Sequence, residues 1–440
     1  MLNFMMQKSV FIYTFGCQMN VHDSEKMLGI LSKDGYAIAE NPEKADLIIF
    51  NTCAIREKAE QKFYSQLGRT KLLKKRNPGL KIAVAGCVAQ DARQHIFRKA
   101  PHVDFIFGPQ NISLMRDMLN NNSRKTSLEE NKELAYIEFE TQRQSSIKAW
   151  VSIMYGCNNF CSYCIVPYTR GGEVSRPSSS ILSEIEDLCK KGYKEVTLLG
   201  QNVNSYRSDM GFTDLLKKID SVNMRRVRFV TSHPRDLSSE LINAISELPS
   251  VCEHIHLPLQ SGSDRILDLM NRGYAYSQYY EKIQSLRDEV PGIAITTDII
   301  TGFPGEDEDD FKKTVNALEE IEFDGIFAFK FSPRRGTRAS EMEGSVSDDI
   351  KTERLNHILR IQEEITYRKN RTLEGTAQEI LVEGHSETDR NMLMGRTRTN
   401  KIVTIADSGE KEGSFIKVMI RKARQHSLDG INIDPETVQV

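Results

Sequence analysis

The alternation of apolar and polar positions divides the chain into three stretches of different period. Over residues 8–87, short apolar runs at Ser9–Phe15, 47–51 and 82–85 are bounded by polar or glycine positions, as buried parallel strands are. Helical spacing occupies 23–35 and 57–75 between them, so the unit reads as a doubly wound α/β domain. From 148 to 331 a second α/β series runs, with strands expected at 149–154, 195–199, 226–231, 254–257, 293–300 and 326–331. Helices such as 180–191 and 277–289 separate them. Six strand–helix units predict a partial (β/α)6 barrel, because eight-stranded closure needs more chain than remains before the pattern changes. One long helix is expected over 349–373, with Leu355, Ile358, Leu359 and Ile365 on its apolar face. After Gly375 the period falls to two, and strands at 378–382, 391–397, 402–405, 415–421 and 427–433 predict a small antiparallel β-barrel. The polar segment 120–147, with one candidate strand at 134–139, reads as a linker. The fold class expected is therefore α/β in three domains, at 1–125, 143–373 and 375–440.

Composition changes this picture little. Charged residues are 27% and hydrophobic ones 39% of 440 residues, as in a soluble globular protein, and no apolar run has the length of a membrane span. A net charge of −2 excludes a uniformly basic nucleic-acid binder. It leaves room for a local patch: between Arg390 and Arg424 nine Lys or Arg face three Asp or Glu. Such a strip on a small barrel suits RNA, with Arg396, Arg398 and Lys401 as candidate contacts; a solvated charged face is the alternative. The start could be misread as a lipoprotein signal ending at Cys17, but its apolar stretch is short and Thr14 stands where an aliphatic residue is expected.

The chemistry lies in the cysteines. Eight, widely and unevenly spaced, do not form the framework of a small disulfide-bonded domain, so reduced thiols in a cytoplasmic protein are expected. Cys17, Cys53 and Cys87 recur at near-equal intervals, each just past the carboxyl end of a predicted strand, where such sheets bind ligands. Cys157, Cys161 and Cys164 form a single short run directly after the first barrel strand, on the rim where barrel sites form. Ordinary iron–sulfur and structural zinc sites use four protein ligands, so each set of three leaves a position open. A zinc knuckle would need a fourth ligand, and the nearest downstream histidine is His233. Cys189 and Cys252 read as core packing. For His254 and His256, strand alternation is expected to turn one imidazole into the barrel, and neither is expected to bind metal.

The spacing Cys157-x-x-x-Cys161-x-x-Cys164 resembles the fingerprint of the radical S-adenosylmethionine superfamily. Over nearly the whole chain the sequence is similar to the methylthiotransferase family of that superfamily. The resemblance is carried by Gly16-Cys17, Asn51-Thr52-Cys53, Ala85-Gly86-Cys87, Tyr168-Thr169-Arg170-Gly171, Ser175-Arg176-Pro177 and the run from His256 to Ser263. A C-terminal TRAM-type RNA-binding barrel completes it. The segments 166–170 and 200–206 most resemble the branch acting on tRNA that carries N(6)-dimethylallyladenosine, rather than those acting on threonylcarbamoyl-adenosine or a ribosomal-protein aspartate.

The resemblance implies two 4Fe–4S clusters, one on Cys157, Cys161 and Cys164 and an auxiliary one on Cys17, Cys53 and Cys87. It also implies S-adenosylmethionine as cofactor, whose methionine moiety chelates the free iron and which yields a 5′-deoxyadenosyl radical. Gly200, Gln201 and Asn202 would hold the amino group, and Gly302 and Gly305 would pack the adenine, with Tyr163 near it. An electron-donor protein and a sulfur source are implied partners, and no membrane. An iron–sulfur scaffold that merely sits on RNA is the non-enzymatic alternative. One departure is Ser332-Pro333-Arg334-Arg335-Gly336-Thr337, where the family more often reads Arg-Pro-Gly-Thr.

Overall fold

The computed structural model describes residues 7–53, 57–92, 95–120, 125–129 and 141–433. Its first domain is one parallel sheet of β1 (Ser9–Phe15), β2 (Ala37–Ile38), β3 (Leu47–Thr52), β4 (Lys81–Gly86), β5 (Phe105–Phe107) and β6 (Lys125–Ser127). The strand order is β2-β1-β3-β4-β5-β6, so the chain reverses direction across the sheet between β1 and β3. Alternate residues of the central strands feed separate cores on the two faces: Ile48, Phe50 and Val84 on one, Leu47, Ile49 and Ala83 on the other. This explains the unbroken apolar runs.

Two expectations need correction. Part of the presumed linker, Lys125–Ser127, is an edge strand pairing with β5, while the candidate strand at 134–139 lies outside the described residues. The first helix spans Gln18–Lys33 and begins well before residue 23. Its opening turns carry Asn20, His22, Asp23, Ser24 and Glu25, all buried, because they face the second domain as well as the sheet. Polar side chains buried at a domain interface hide the helical period that an apolar face would show.

The second domain contains β7 (Lys148–Ser152), a short hairpin of β8 (Met154–Tyr155) and β9 (Val174–Ser175), then β10 (Glu195–Leu199), β11 (Arg226–Phe229), β12 (His254–His256), β13 (Ala294–Thr301) and β14 (Gly325–Lys330). Its parallel strands form two three-stranded sheets, β11-β10-β7 and β12-β13-β14, joined by a backbone bridge between Val227 and Val251. The result is a six-stranded partial barrel. Val151, Val196, Val227, Ile255 and Ile295 pack outward against the helices. Trp150, Thr197, Arg228 and His256 occupy the opposite, inner face, by the period-two geometry of a strand. The same geometry corrects the histidine expectation: His254 and His256 are two residues apart and share the inner face, with Ile255 between them facing out. On the helix Asp348–Arg371, Ile358 and Ile365 are buried but Leu359 is exposed. The buried stripe runs instead through Arg354 and Gln362, whose side chains hydrogen-bond to Glu306 and to the Phe323 carbonyl.

The third domain is the closed barrel β15-β16-β17-β19-β18, from β15 (Ala377–His385), β16 (Met392–Thr397), β17 (Ile402–Ala406), β18 (Phe415–Ala423) and β19 (Leu428–Asn432). It caps the end of the partial barrel at which the strands begin. Arg226 donates to the Arg396 carbonyl at 2.8 Å, and Arg228 to the Arg398 and Thr397 carbonyls at 2.7 and 2.8 Å. The first domain lies at the opposite end, over the strand exits.

Candidate functional site

Register assembles the first cysteine set. Phe15 pairs with Thr52 and Thr52 with Gly86, so Cys17, Cys53 and Cys87 leave three adjacent strands side by side. Cys17 and Cys53 flank the point where the strand order reverses, the place where an open α/β sheet leaves room for a ligand. Glycines at positive φ precede two of the three. A Cβ on Gly16 would meet Cys53 Cβ at 2.5 Å, and one on Gly86 would meet Asn51 Oδ1 at 2.5 Å. Asn20 and Asn51 brace the site, Asn20 Nδ2 donating to Asn51 Oδ1 at 3.1 Å and Asn51 Nδ2 to the Asn20 carbonyl at 2.7 Å. A hydrogen bond from Cys53 brings the Cys17 thiol down to about 6, against burial, with help from the Arg170 charge.

The second set sits on a loop pinched at its neck. β8 and β9 close it, the Cys157 amide donates to the Gly171 carbonyl at 3.1 Å, and a Cβ on Gly156 would collide with the Gly172 carbonyl at 2.0 Å. Here desolvation dominates, raising the Cys157 thiol to about 11 and that of Cys164 to about 12. Such thiols stay protonated unless a cation takes the charge, and bound metal deprotonates a coordinating thiol outright. The buried Arg272 already points this way, with Nη1 3.4 Å from Cys161 Sγ and Nη2 held by the Pro258 carbonyl. Among the described residues no three His, Cys, Asp or Glu side chains converge on a single metal ion. Thiols that each serve a different iron of a cube do not need that convergence. The donor set and its counter-charge fit an iron–sulfur cluster.

One short segment joins the two sets. Ile165, next to Cys164, inserts into the first domain's core beside Cys87, and the helix Val166–Arg170 follows. It ends on Arg170, fully buried, whose Nη2 donates to Asp23 Oδ2 at 2.8 Å. Desolvation would lower the Arg170 pKa, but the charges of Cys87, Asp23 and Cys17 outweigh it and hold the guanidinium firmly protonated. Nη1 has no partner among the described residues. Sequence reasoning quoted Arg170 only as part of a resemblance and gave neither it nor Arg272 a role. Burial is what sets these two arginines apart, and it is not legible in the sequence.

The expected cofactor residues separate into two groups. Gly200 lets Met154 approach to within 2.5 Å of where its Cβ would lie. Behind it, Gln201 Oε1 and Asn202 Oδ1 are buried without partners among the described residues, while Asn202 Nδ2 is fixed by Asp236 at 2.6 Å. Two unsatisfied amide oxygens suit an ammonium. Gly302 and Gly305 behave differently: their amides are taken by Glu306 Oε1 and the Gly344 carbonyl, so they shape the turn and offer no donor. Tyr163 packs with Phe303 of that turn.

Three domain models match the chain: Uncharacterized protein family UPF0004 over residues 9–108, the Radical SAM superfamily over 151–318 and the TRAM domain over 371–432. A tRNA-2-methylthio-N(6)-dimethylallyladenosine synthase of Thermodesulfovibrio yellowstonii is 54% identical over 426 residues, covering 96% of this chain and 98% of that protein. One of Syntrophus aciditrophicus is 48% identical, covering 98% and 96%. The chain belongs to this synthase family. Among solved structures, the radical S-adenosylmethionine methyltransferase TsrM of Kitasatospora setae, with cobalamin and a [4Fe-4S] cluster bound, shares the fold at a TM-score of 0.55 with 11% identity, over 76% of this chain and 77% of that one. The enzyme OxsB does so at 0.53 with 11% identity, over 82% and 56%.

Family membership makes this chain a radical S-adenosylmethionine methylthiotransferase that uses an iron–sulfur cluster and S-adenosylmethionine. Among the described residues no helix is long and apolar enough to cross a membrane. The three cations singled out for RNA are otherwise engaged. Arg398 pairs with Glu253 at 2.8 Å, Lys401 with Asp324 at 3.0 Å and Arg396 with Glu383 at 3.5 Å. Burial would raise the Asp324 carboxyl, but Lys401 and Lys369 reverse the shift and hold it low. Arg398 and Lys401 dock the TRAM barrel onto the core, while Arg396 pairs within the barrel, so each of the three already has an acidic partner.

Proposed function

We propose that this chain converts N(6)-dimethylallyladenosine in cytoplasmic tRNA to its 2-methylthio derivative. The observation that carries the reading is the pair of three-thiol sites, on two domains, joined through the segment from Cys164 to Arg170. Each set would hold a 4Fe–4S cluster with one open position, the second cluster on Cys17, Cys53 and Cys87. Loaded there, the clusters and S-adenosylmethionine supply one-electron cleavage of a sulfonium, hydrogen removal from an unactivated carbon, and the sulfur and methyl that are transferred. The chain's own residues bind and orient. Gln201 and Asn202 offer acceptors to the cofactor ammonium, Arg272 steadies the radical-site thiolates, and Arg170, reaching across the domain boundary, steadies those of Cys17 and Cys87. An electron-donor protein and a sulfur source complete the set of partners.

For the RNA we propose a different face from the one the sequence suggested. Lys417, Arg421 and Lys422 point outward from β18, and Arg371 ends the helix Asp348–Arg371 that packs against that strand; all four are exposed. Alanine at Lys417, Arg421 and Lys422 together is expected to weaken tRNA binding and to lower the slope of log affinity against log salt by about 1 per cation lost. Filter binding across a salt series measures both, and an unchanged slope would place the RNA elsewhere. The function itself is tested by nucleoside analysis of tRNA from cells lacking the protein. The expected result is loss of the 2-methylthio group with the dimethylallyl group retained; persistence of the methylthio nucleoside would reject the assignment.

A further inference from the structure

The inner face of the partial barrel carries a wall that neither cluster site uses. Strand pairing places Phe327 beside Asp298 and Phe329 beside Ile300, while their neighbours Ile326 and Ala328 pack outward with the helices. Both phenylalanines are nevertheless exposed, Phe327 at 53% and Phe329 at 39%, although inward-facing aromatics of a closed core would be covered. Across the lumen, Trp150 stands on β7 in register with Thr197. One polar pair interrupts this surface. His256 Nε2 lies 3.5 Å from Asp298 Oδ1, its Nδ1 3.1 Å from Thr296 Oγ1, and its ring meets Phe327 edge-on at 5.7 Å.

The charge balance of the lumen narrows its occupant. Among the described cations on the inner face of these strands, Lys148 pairs with Glu383 at 2.8 Å, Arg226 is held by Glu379 and the Arg396 carbonyl, and Arg228 has its donors taken by Glu195 Oε2 and the Arg398 and Thr397 carbonyls. His256 is already matched by Asp298. An anionic substituent would therefore enter without a counter-ion, next to a carboxylate, and burying it unpaired is costly. A branched hydrocarbon on an aromatic base meets the opposite conditions: apolar walls for the chain, an aromatic edge for the ring, and the Asp298 carboxylate as acceptor for the one remaining exocyclic N–H.

Resting on the function proposed above, we infer that Phe327 and Phe329, facing Trp150 across the lumen with Asp298 at the edge, form the subsite that receives the dimethylallyl-bearing adenine and selects it over bases carrying an acidic substituent. The residues select substrate and do not take part in cofactor cleavage. Trp150 is the chain's single tryptophan and packs in a cluster with Leu199, Val230 and Cys17 at the edge of the lumen, so its emission changes when a ligand enters there.

The experiment uses the full-length, cluster-loaded protein with three nucleosides as probes: N(6)-dimethylallyladenosine, adenosine and threonylcarbamoyl-adenosine. The first is expected to change Trp150 emission at concentrations at least tenfold below the other two, roughly the discrimination a hydrophobic pocket gives for a few added carbons. Phe327→Ala should erase most of that preference and raise the KM for dimethylallyl-tRNA about tenfold, while Phe327→Leu retains it. Release of 5′-deoxyadenosine without RNA should match the unaltered protein in both variants. Equal responses to all three nucleosides, or an unchanged KM in Phe327→Ala, would overturn the subsite. If the unaltered protein fails to thiolate dimethylallyl-tRNA at all, it is the assigned function that fails instead.

Discussion

Replacing Cys53 with alanine is expected to leave S-adenosylmethionine cleavage intact while formation of the 2-methylthio nucleoside falls below detection. The side chain is 1% exposed at the exit of β3, in the first domain, and cleavage belongs to the barrel loop holding Cys157, Cys161 and Cys164. Alanine is smaller and equally apolar, so the sheet should keep its register, with the Cys53 amide still donating to the Phe15 carbonyl at 2.8 Å. What is lost is one of three thiolates and the hydrogen bond that brings Cys17 down to about 6, so the Cys17 thiol rises towards its ordinary range and is less ionised at neutral pH. Iron bound after reconstitution should drop to about half if, as proposed, Cys53 serves one of two four-iron sites. Cys161→Ala is the contrasting variant and should abolish both cleavage and thiolation. Cys189→Ala, on the amphipathic helix Ser178–Lys190, should change neither. Iron content, 5′-deoxyadenosine release and nucleoside analysis separate these outcomes. Normal thiolation by Cys53→Ala would remove the second cluster from the account.

The sites that sequence reasoning located share a physical reason for being legible. Parallel strands covered on both faces leave unmistakable apolar runs, and the residue just beyond each run is a privileged position whatever the rest of the domain does. Cys17, Cys53 and Cys87 could be grouped on that basis alone. The apolar strands of the second domain were equally plain, because Val196, Val227 and Ile255 alternate with inward polar residues. What stayed hidden were polar groups that become meaningful only when domains meet. Asp23 and Arg170 are far apart in the chain, and neither lies in a pattern that announces a partner. The pairing of the basic strip singled out for RNA was hidden for the same reason. A count of basic residues cannot show that Arg398 and Lys401 answer Glu253 and Asp324 across an interface, whereas Lys417 and Arg421 look outward. Short strands such as Phe105–Phe107 and Lys125–Ser127 have too few residues for any period to register.

Methionine at Arg170 is expected to separate the structural from the chemical role of that guanidinium. The side chain keeps comparable bulk, but Asp23, buried 2.8 Å from Arg170 Nη2, is left as an unpaired carboxylate. Removing one partner of a buried pair costs about 3–5 kcal/mol, so the urea midpoint of the first domain should fall markedly. Methylthiolation should fall as well. That loss alone would prove little, since a loosened domain interface could cause it. The double variant Arg170→Met with Asp23→Asn removes both charges, and much of the stability should return. Thiolation should not return with it. The guanidinium lies in the field of Cys17 and Cys87 and leaves Nη1 without a partner among the described residues, and neither methionine nor asparagine replaces a cation beside those thiols. Cofactor cleavage should persist in both variants, because Cys157, Cys161, Cys164 and Arg272 are untouched. If the double variant regains stability and thiolation together, Arg170 only pins the domains. If stability returns alone, its charge belongs to the chemistry of the first-domain site.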